Sequence, residues 1–219
     1  MAAGANALPE PVCLAADDLA SRVRRLQRPG HRVIIGITGP PGTGKTTLIG
    51  EVVEALGTPS RTAAVPMDGF HLSNRVLATL GRSDRKGAVD TFDAWGYAHL
   101  LRRLRARDED VVYAPDFDHN AGDPVAGSIG VEREVDTVFT DGNYLLSPTG
   151  AWAQARKCMD EVWYLHTPDD LRLARLVARH IRAGKDPDAA AAWANGPDEV
   201  NAKSVALQRG NADLMLLNT

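Results

Sequence analysis

Apolar and polar positions follow two periods along this chain, and each change of period marks an element. Short apolar runs at Arg32–Ile37, Thr62–Met67, Asp110–Ala114, Thr137–Thr140, Glu161–Leu165 and Asp213–Leu217 have the length of strands buried in a sheet. Between them the apolar positions fall at helical intervals. Leu14–Gln27 carries Leu14, Leu19, Val23 and Leu26 on one face and stops at Pro29-Gly30; Thr46–Leu56 and Leu72–Leu80 end at Gly57 and Gly81. Thr91–Arg107, with Leu100, Leu101 and Leu104 inside, and Asp169–Arg182 are longer helices, and Ala189–Ala194 and Asn201–Gln208 are shorter ones. Strands that alternate with helices predict an α/β fold with a central, mostly parallel sheet flanked by helices. Ligands in such folds gather at the carboxyl ends of the strands.

Three stretches fit neither period. Arg82–Gly87 reads as a charged, flexible stretch, and Asp116–Gly127 as a polar loop too rich in Asp, Asn, His and Gly to be only a connector. Gly127–Val135 has the pattern of a small antiparallel excursion. Residues 1–12, rich in Ala, Gly and Pro, read as a loose lead-in to one domain over residues 13–219.

Composition narrows the function classes. With 25 basic and 28 acidic residues in 219, the net charge is −3, so no global field marks a nucleic-acid or membrane surface. Cys13 and Cys158 lack metal-like spacing and fit two free thiols in a reducing compartment. No leader-like segment or long apolar run is seen, so the expected location is cytoplasmic, with no nucleic-acid or membrane partner. A homodimer stays open.

The most specific chemistry follows the first strand. Gly39, Pro40, Pro41, Gly42, Thr43, Gly44, Lys45, Thr46 and Thr47 fit the phosphate-binding P-loop pattern G-x-x-x-x-G-K-[ST]. A strand ending in glycines and followed by a helix turns main-chain N–H groups onto an anion, and the helix N-terminus adds partial positive charge. Lys45 is placed to reach the outer phosphates, and the Thr46 hydroxyl to ligate the Mg²⁺ that accompanies a nucleotide.

Two carboxylates stand just beyond other strands, Asp68 after Val65-Pro66-Met67 and Asp141 after Val138-Phe139-Thr140. Both are expected in the nucleotide crevice, one to hold Mg²⁺ or its waters and one to take a proton from an attacking hydroxyl. A helix cap for Asp68 and a turn for Asp141 are the alternatives. Arg172, Arg175, Arg179 and Arg182 share one face of Asp169–Arg182, opposite Leu173, Val177 and Ile181. That stripe reads either as a solvated face paired with Asp169 and Asp170 or as a lid whose guanidinium groups meet a transferring phosphoryl. His71 and His180 carry no assignment, and Trp95, Trp152, Trp163 and Trp193 are expected to pack in the core or at its edge.

From Arg32 to Asp213 these segments resemble the uridine kinase, pantothenate kinase and phosphoribulokinase group of P-loop kinases. The matching parts, in order, are the P-loop, MDGFHLSN (Met67–Asn74), RKGAVDTFD (Arg85–Asp93), APDFDH (Ala114–His119), TDGNYLL (Thr140–Leu146) and LHTPDDLRLARLVAR (Leu165–Arg179). The nearest look-alikes are bacterial nucleoside or sugar kinase-like proteins, some associated with fructose transport. The resemblance implies a P-loop NTPase fold with an acceptor-site excursion and a helical lid over about residues 169–183. It implies ATP and Mg²⁺ as cofactors and phosphoryl transfer to a hydroxyl of a small polar metabolite: a nucleoside, a sugar or a pantothenate-like alcohol. It makes Asp68 the base, Lys45 and Arg175 its catalytic companions, and Thr46 and Asp141 the metal ligands. Lys86, Asp90, Asp93, Phe117, His119 and Arg172 become acceptor-binding candidates.

The chain departs from the group in three places. Asp141 stands where glutamate is frequent, Val89 where similar sequences have proline, and DFDHNAGDP does not reproduce the acceptor loop of uridine or pantothenate kinases. Two other function classes remain beside the kinase: a non-catalytic ATP-binding regulator and a nucleotide-hydrolysing switch. The switch lacks an N-K-x-D base-reading motif and a D-x-x-G in the expected place.

Overall fold

The computed structural model describes residues 10–218, so residues 1–9 of the lead-in lie outside the described residues. Among the described residues, eight α-helices and seven strands follow in chain order. The first half comprises α1 (Ala16–Leu26), β1 (Val33–Thr38), α2 (Lys45–Leu56), β2 (Thr62–Ala64), α3 (Asn74–Leu80) and α4 (Ala94–Ala106). It is followed by β3 (Val111–Asp118), β4 (Asp123–Glu132), β5 (Thr137–Asp141), α5 (Gly150–Arg156) and β6 (Glu161–His166). The last elements are α6 (Asp169–Arg182), α7 (Pro187–Asn195), α8 (Pro197–Ala206) and β7 (Leu214–Leu217).

Five strands form one parallel sheet in the order β2-β5-β1-β6-β7. All six residues of β1 are buried, because helices cover both faces of the sheet and leave no solvent side. On one face Val33, Ile35 and Ile37 pack with α1 and α2 through Leu19, Val23, Ile49 and Val52. On the other, Ile34 joins Val138 and Val162 under α4 and α5, with Leu101, Leu104 and Trp152. Only helices on both sides let consecutive side chains of one strand be apolar.

The expected third sheet strand is placed differently. Asp110–Ala114 does not enter the main sheet: β3 runs on to Asp118 and pairs antiparallel with β4, forming a separate two-stranded ribbon with an irregularity between Ala114 and Asp116. Most of Asp116–Gly127 is therefore strand rather than loop, and the expected antiparallel excursion is the outgoing arm of the ribbon. The burial pattern gives the reason. Val112 and Ala114 are buried while Tyr113, Asp116 and Asp118 are exposed, an alternation that suits a ribbon packed on one face.

Other differences are smaller. Met67 does not extend β2 but begins a 3-10 turn, Met67–Phe70. The Arg82–Gly87 stretch is ordered around the 3-10 turn Ser83–Arg85, and α5 lies where no element was expected. The helix α6 has the expected bounds, but its buried residues are Arg172 and Leu176, whereas Ile181 is exposed. Trp152 and Trp163 are buried, whereas Trp95 is exposed. Val12, in the expected loose lead-in, forms a parallel bridge with Leu216 at the free edge of β7. No helix among the described residues is long and apolar enough to cross a membrane.

Candidate active site

The carboxyl ends of β1, β2 and β5 meet at one crevice. There β1 releases the chain into Gly39–Gly44, and α2 begins at Lys45 with no side-chain cap on its N-terminus. Among the described residues the N–H groups of Gly42, Gly44, Lys45, Thr46 and Thr47 find no hydrogen-bond acceptor. A cluster of unpaired donors at a helix N-terminus fits a polyphosphate. The loop is itself held rigid, because the Thr43 carbonyl accepts from the Thr167 hydroxyl at 3.1 Å and from the Asn218 amide at 2.8 Å.

The Lys45 ammonium donates to the carbonyls of Gly39 (2.9 Å) and Pro40 (3.2 Å) and to the side-chain oxygen of Asn143 (3.1 Å). Burial pushes its pKa down to about 8, against the attraction of Asp141 and Asp68, with Arg179 adding to the depression. Asn143 carries no role in the sequence reading beyond its place in the segment Thr140–Leu146. Its position two residues beyond Asp141 is the signal that could have found it.

The Thr46 hydroxyl donates to Asp141 Oδ2 at 3.1 Å. Burial raises the Asp141 pKa, opposed by Lys45, and the negative charge of Asp68 raises it further. A hydroxyl and a carboxylate joined at the end of the phosphate loop are the oxygen donors that Mg²⁺ takes. The residues present fit that ion.

Asp68 lies in the turn after β2 and does not cap α3, whose N-cap is Ser73. Its charge bears on Lys45, Asp141 and His71. The Asp68 carbonyl accepts from His71 Nδ1 at 2.8 Å, and a carbonyl can only accept, so Nδ1 carries a proton. Burial lowers the His71 pKa, against the pull of the Asp68 charge, and so disfavours the imidazolium. It packs on Phe92 (4.0 Å between centroids) and Phe117 (4.9 Å), and Phe117 meets His119 edge-on at 5.3 Å. His71, which had no assignment from sequence, thus stands between Asp68 and the aromatic wall.

The other acceptor candidates are partly engaged with their own chain. Lys86 binds the Asn74 side chain at 2.6 Å and the Gly122 carbonyl, lies 3.4 Å from Asp123, and sits 5.1 Å above the Phe117 ring. It ties the segment 82–93 to the tip of the β3–β4 ribbon. Asp90 pairs with Arg85 (3.0 Å) and Arg82 (3.3 Å), and Arg85 holds its carboxyl below the usual range. Asp93 caps α4, accepting from Gly96 N at 2.8 Å.

On the lid side, Arg175 Nη1 is 3.9 Å from where a Gly44 side chain would begin, so this guanidinium overlooks the phosphate loop. Arg172 is only 1% exposed. Its Nε binds Asp169 (3.0 Å) and its Nη2 binds Glu199 (2.6 Å). Burial works against the Arg172 charge, and the two carboxylates more than restore it, so its pKa is raised. The arginine stripe is thus neither wholly solvated nor wholly turned to the crevice.

A parallel α/β sheet with this loop, this carboxylate pair and an arginine-bearing helix beside them defines a P-loop kinase. Residues 34–216 match the sequence model of the Phosphoribulokinase / Uridine kinase family, and the chain belongs to that family. It is 35% identical over 175 residues to a Schizosaccharomyces pombe protein named "Putative uridine kinase C227.14", covering 77% of this chain and 74% of that one. It is 31% identical over 192 residues to Escherichia coli YggC, covering 86% and 78%. Among solved structures, a "putative fructose transport system kinase" from Silicibacter sp. TM1040 superposes with a TM-score of 0.84 at 35% identity, covering 92% of this chain and 98% of that one.

Proposed function

We propose that this kinase transfers the γ-phosphoryl group of ATP to a hydroxyl of a small polar metabolite, with Asp68 as general base. The observation that carries the reading is the position of Asp68: beyond β2, free of any capping duty, and charged toward both Lys45 and Asp141. On this reading Lys45 and the free amides of the loop hold the phosphates, and Arg175 closes over them from the lid helix. Thr46 and Asp141 would hold Mg²⁺, which supplies charge neutralisation at the phosphates. Asp68 then takes the proton of the acceptor hydroxyl as that oxygen attacks.

The acceptor would lie against His71, Phe117 and His119, with the segment 82–93 as its outer wall. Lys86, Asp90 and Asp93 shape that wall through their own bonds, and Lys86 does so by fixing Phe117. The names carried by the relatives suggest the panel to try: nucleosides, sugars and pantothenate-like alcohols. With ATP and Mg²⁺ present, mass spectrometry should show one member of the panel gaining a single phosphate. Tight ATP binding with no phosphorylated product across a broad panel would favour the regulator instead.

A further inference from the structure

The Lys45 ammonium has three partners of unequal kind. An ammonium carries three N–H donors and no acceptor. All three are taken here: two by the Gly39 and Pro40 carbonyls, which belong to the phosphate loop itself, and one by Asn143 Oδ1 at 3.1 Å. The orientation of the Asn143 amide follows, since a group that only donates must face its oxygen and not its NH2. Two of the three bonds tie the lysine to its own loop. Only Asn143 holds it from elsewhere, in the segment that follows β5.

That segment is itself fixed on both sides. The Asn143 carbonyl accepts from the hydroxyl of Thr38, the fully buried last residue of β1, at 3.1 Å. One residue back, Gly142 N donates to the Ile37 carbonyl at 3.1 Å, and a side chain on Gly142 would begin 2.6 Å from Met67 Cβ. One residue on, the buried Tyr144 gives its hydroxyl to the Gly87 carbonyl at 2.6 Å. Two residues back, Asp141 accepts from the Thr46 hydroxyl. Lys45 and Thr46, consecutive at the start of α2, are thus each tied to the end of β5 by side chains two positions apart.

We infer that Asn143 is a positioning residue: its side-chain oxygen holds the Lys45 ammonium off its own loop and beside Asp141, where the outer phosphates of a nucleotide would stand. The inference rests on the phosphate-binding reading of Lys45 above. Asn143 need not touch the nucleotide. Without it the ammonium keeps only the two loop carbonyls, and the charge must be drawn off the loop when the phosphates arrive. With it that reorganisation is made beforehand.

Two measurements on the full-length protein test this, and thermal unfolding without ligand is recorded for each variant. The first needs no nucleotide. Proton–nitrogen correlation spectra of isotope-labelled protein at mildly acidic pH detect lysine ammonium groups whose hydrogen bonds slow their exchange with water, and the signal missing from Lys45→Met is that of Lys45. It should be lost or shifted in Asn143→Leu, which keeps the bulk of the side chain and removes the oxygen, and should return in Asn143→Asp, which keeps an oxygen at that place. The second is calorimetric binding of MgADP to wild type, Asn143→Leu, Lys45→Met and the double variant. Asn143→Leu should bind about tenfold more weakly than wild type, the size of one hydrogen bond to a charged group. The double variant should be no weaker than Lys45→Met, because Asn143 acts through the lysine. An unmoved Lys45 signal in Asn143→Leu, an unchanged MgADP affinity, or losses that add in the double variant would each overturn the inference. If Asn143→Leu does not fold, Asn143→Ala takes its place with the same expectations. A Lys45 signal that follows Asn143 in a wild type that does not bind MgADP would instead count against the phosphate-binding reading of the loop.

Discussion

The two halves of the crevice are built by different means. The nucleotide half is made by main chain that is contiguous in sequence: a buried strand, a glycine loop and a helix N-terminus supply the free amides, and Lys45 bonds to carbonyls five and six residues away. The proposed acceptor half is made by side chains from segments far apart, with the His71 ring packed against both Phe92 and Phe117 and Lys86 reaching across to residues 122 and 123. A site built from local backbone tolerates change around it, because its donors come with the loop geometry. A site built from assembled side chains changes its ligand when one segment shifts. This difference suits a chain whose relatives carry the names of kinases for different acceptors, uridine and pantothenate among them.

The largest effect is expected where the halves meet. Asp68→Asn should lower the rate of transfer by about 10²–10⁴-fold while leaving ATP affinity within a few-fold. Near-normal turnover in steady-state kinetics would remove Asp68 as the base and leave the two halves unconnected. Lys45→Met belongs wholly to the nucleotide half and should cost about 10²–10³-fold in kcat, the size of a lost transition-state donor. If its main effect fell on the KM of the acceptor, the two halves would not act separately.

Lys45 also gives a pH signature without any ligand. Its folded-state pKa, about 8, is below the ordinary lysine value, with burial the first cause. Between about pH 8 and pH 10 the unfolded chain therefore binds more protons than the folded one, so the stability of the nucleotide-free protein gains from this group as pH rises through that window. Denaturant unfolding across pH 7.5–10 should show the gain in wild type and not in Lys45→Met; parallel curves would contradict the cause given.

On the acceptor side, Gly69→Ala should shift the turn that carries Asp68, because the new carbon would begin 2.3 Å from the Pro115 carbonyl in the ribbon. A loss of about 1–3 kcal/mol in stability is expected, with a raised acceptor KM and an unchanged KM for ATP. The smallest effect is expected for Lys86→Met, which releases the ribbon tip and should raise the acceptor KM by several-fold, on the order of 1 kcal/mol. An equal rise in the KM for ATP would show that the two halves are coupled more tightly than their construction suggests.

The same contrast explains what could be read from sequence. The phosphate loop, the strands beside it and the full extent of α6 follow from patterns within a dozen or so residues, and the structure has them where the patterns put them. The Thr46–Asp141 pair was also legible, because strand ends in a parallel sheet converge on a known edge. What could not be read depends on partners distant in the chain. Asp110–Ala114 has the composition of a sheet strand, and only its pairing with Ile129–Glu132 makes it a ribbon. Arg172 looks like one of four surface arginines until Glu199, 27 residues on, buries it. The short helix α5 carries too few periodic positions to declare itself, although Trp152 and Ala155 are buried in the core.

One pairing far from the chemistry bears on how this chain can be rearranged. Val12 donates to the Met215 carbonyl and accepts from Leu217 N, both at 3.0 Å, so stretches some two hundred residues apart in sequence run side by side. They run parallel, so a linker from Asn218 back to Glu10 must retrace about four residues of strand, roughly 13 Å, which six to eight flexible residues span. New ends opened in the exposed turn at Gly57-Thr58 would then leave β1, the phosphate loop and α2 in one continuous piece. A circular permutant of this kind keeps the nucleotide half intact and exchanges only the order in which the two halves leave the ribosome.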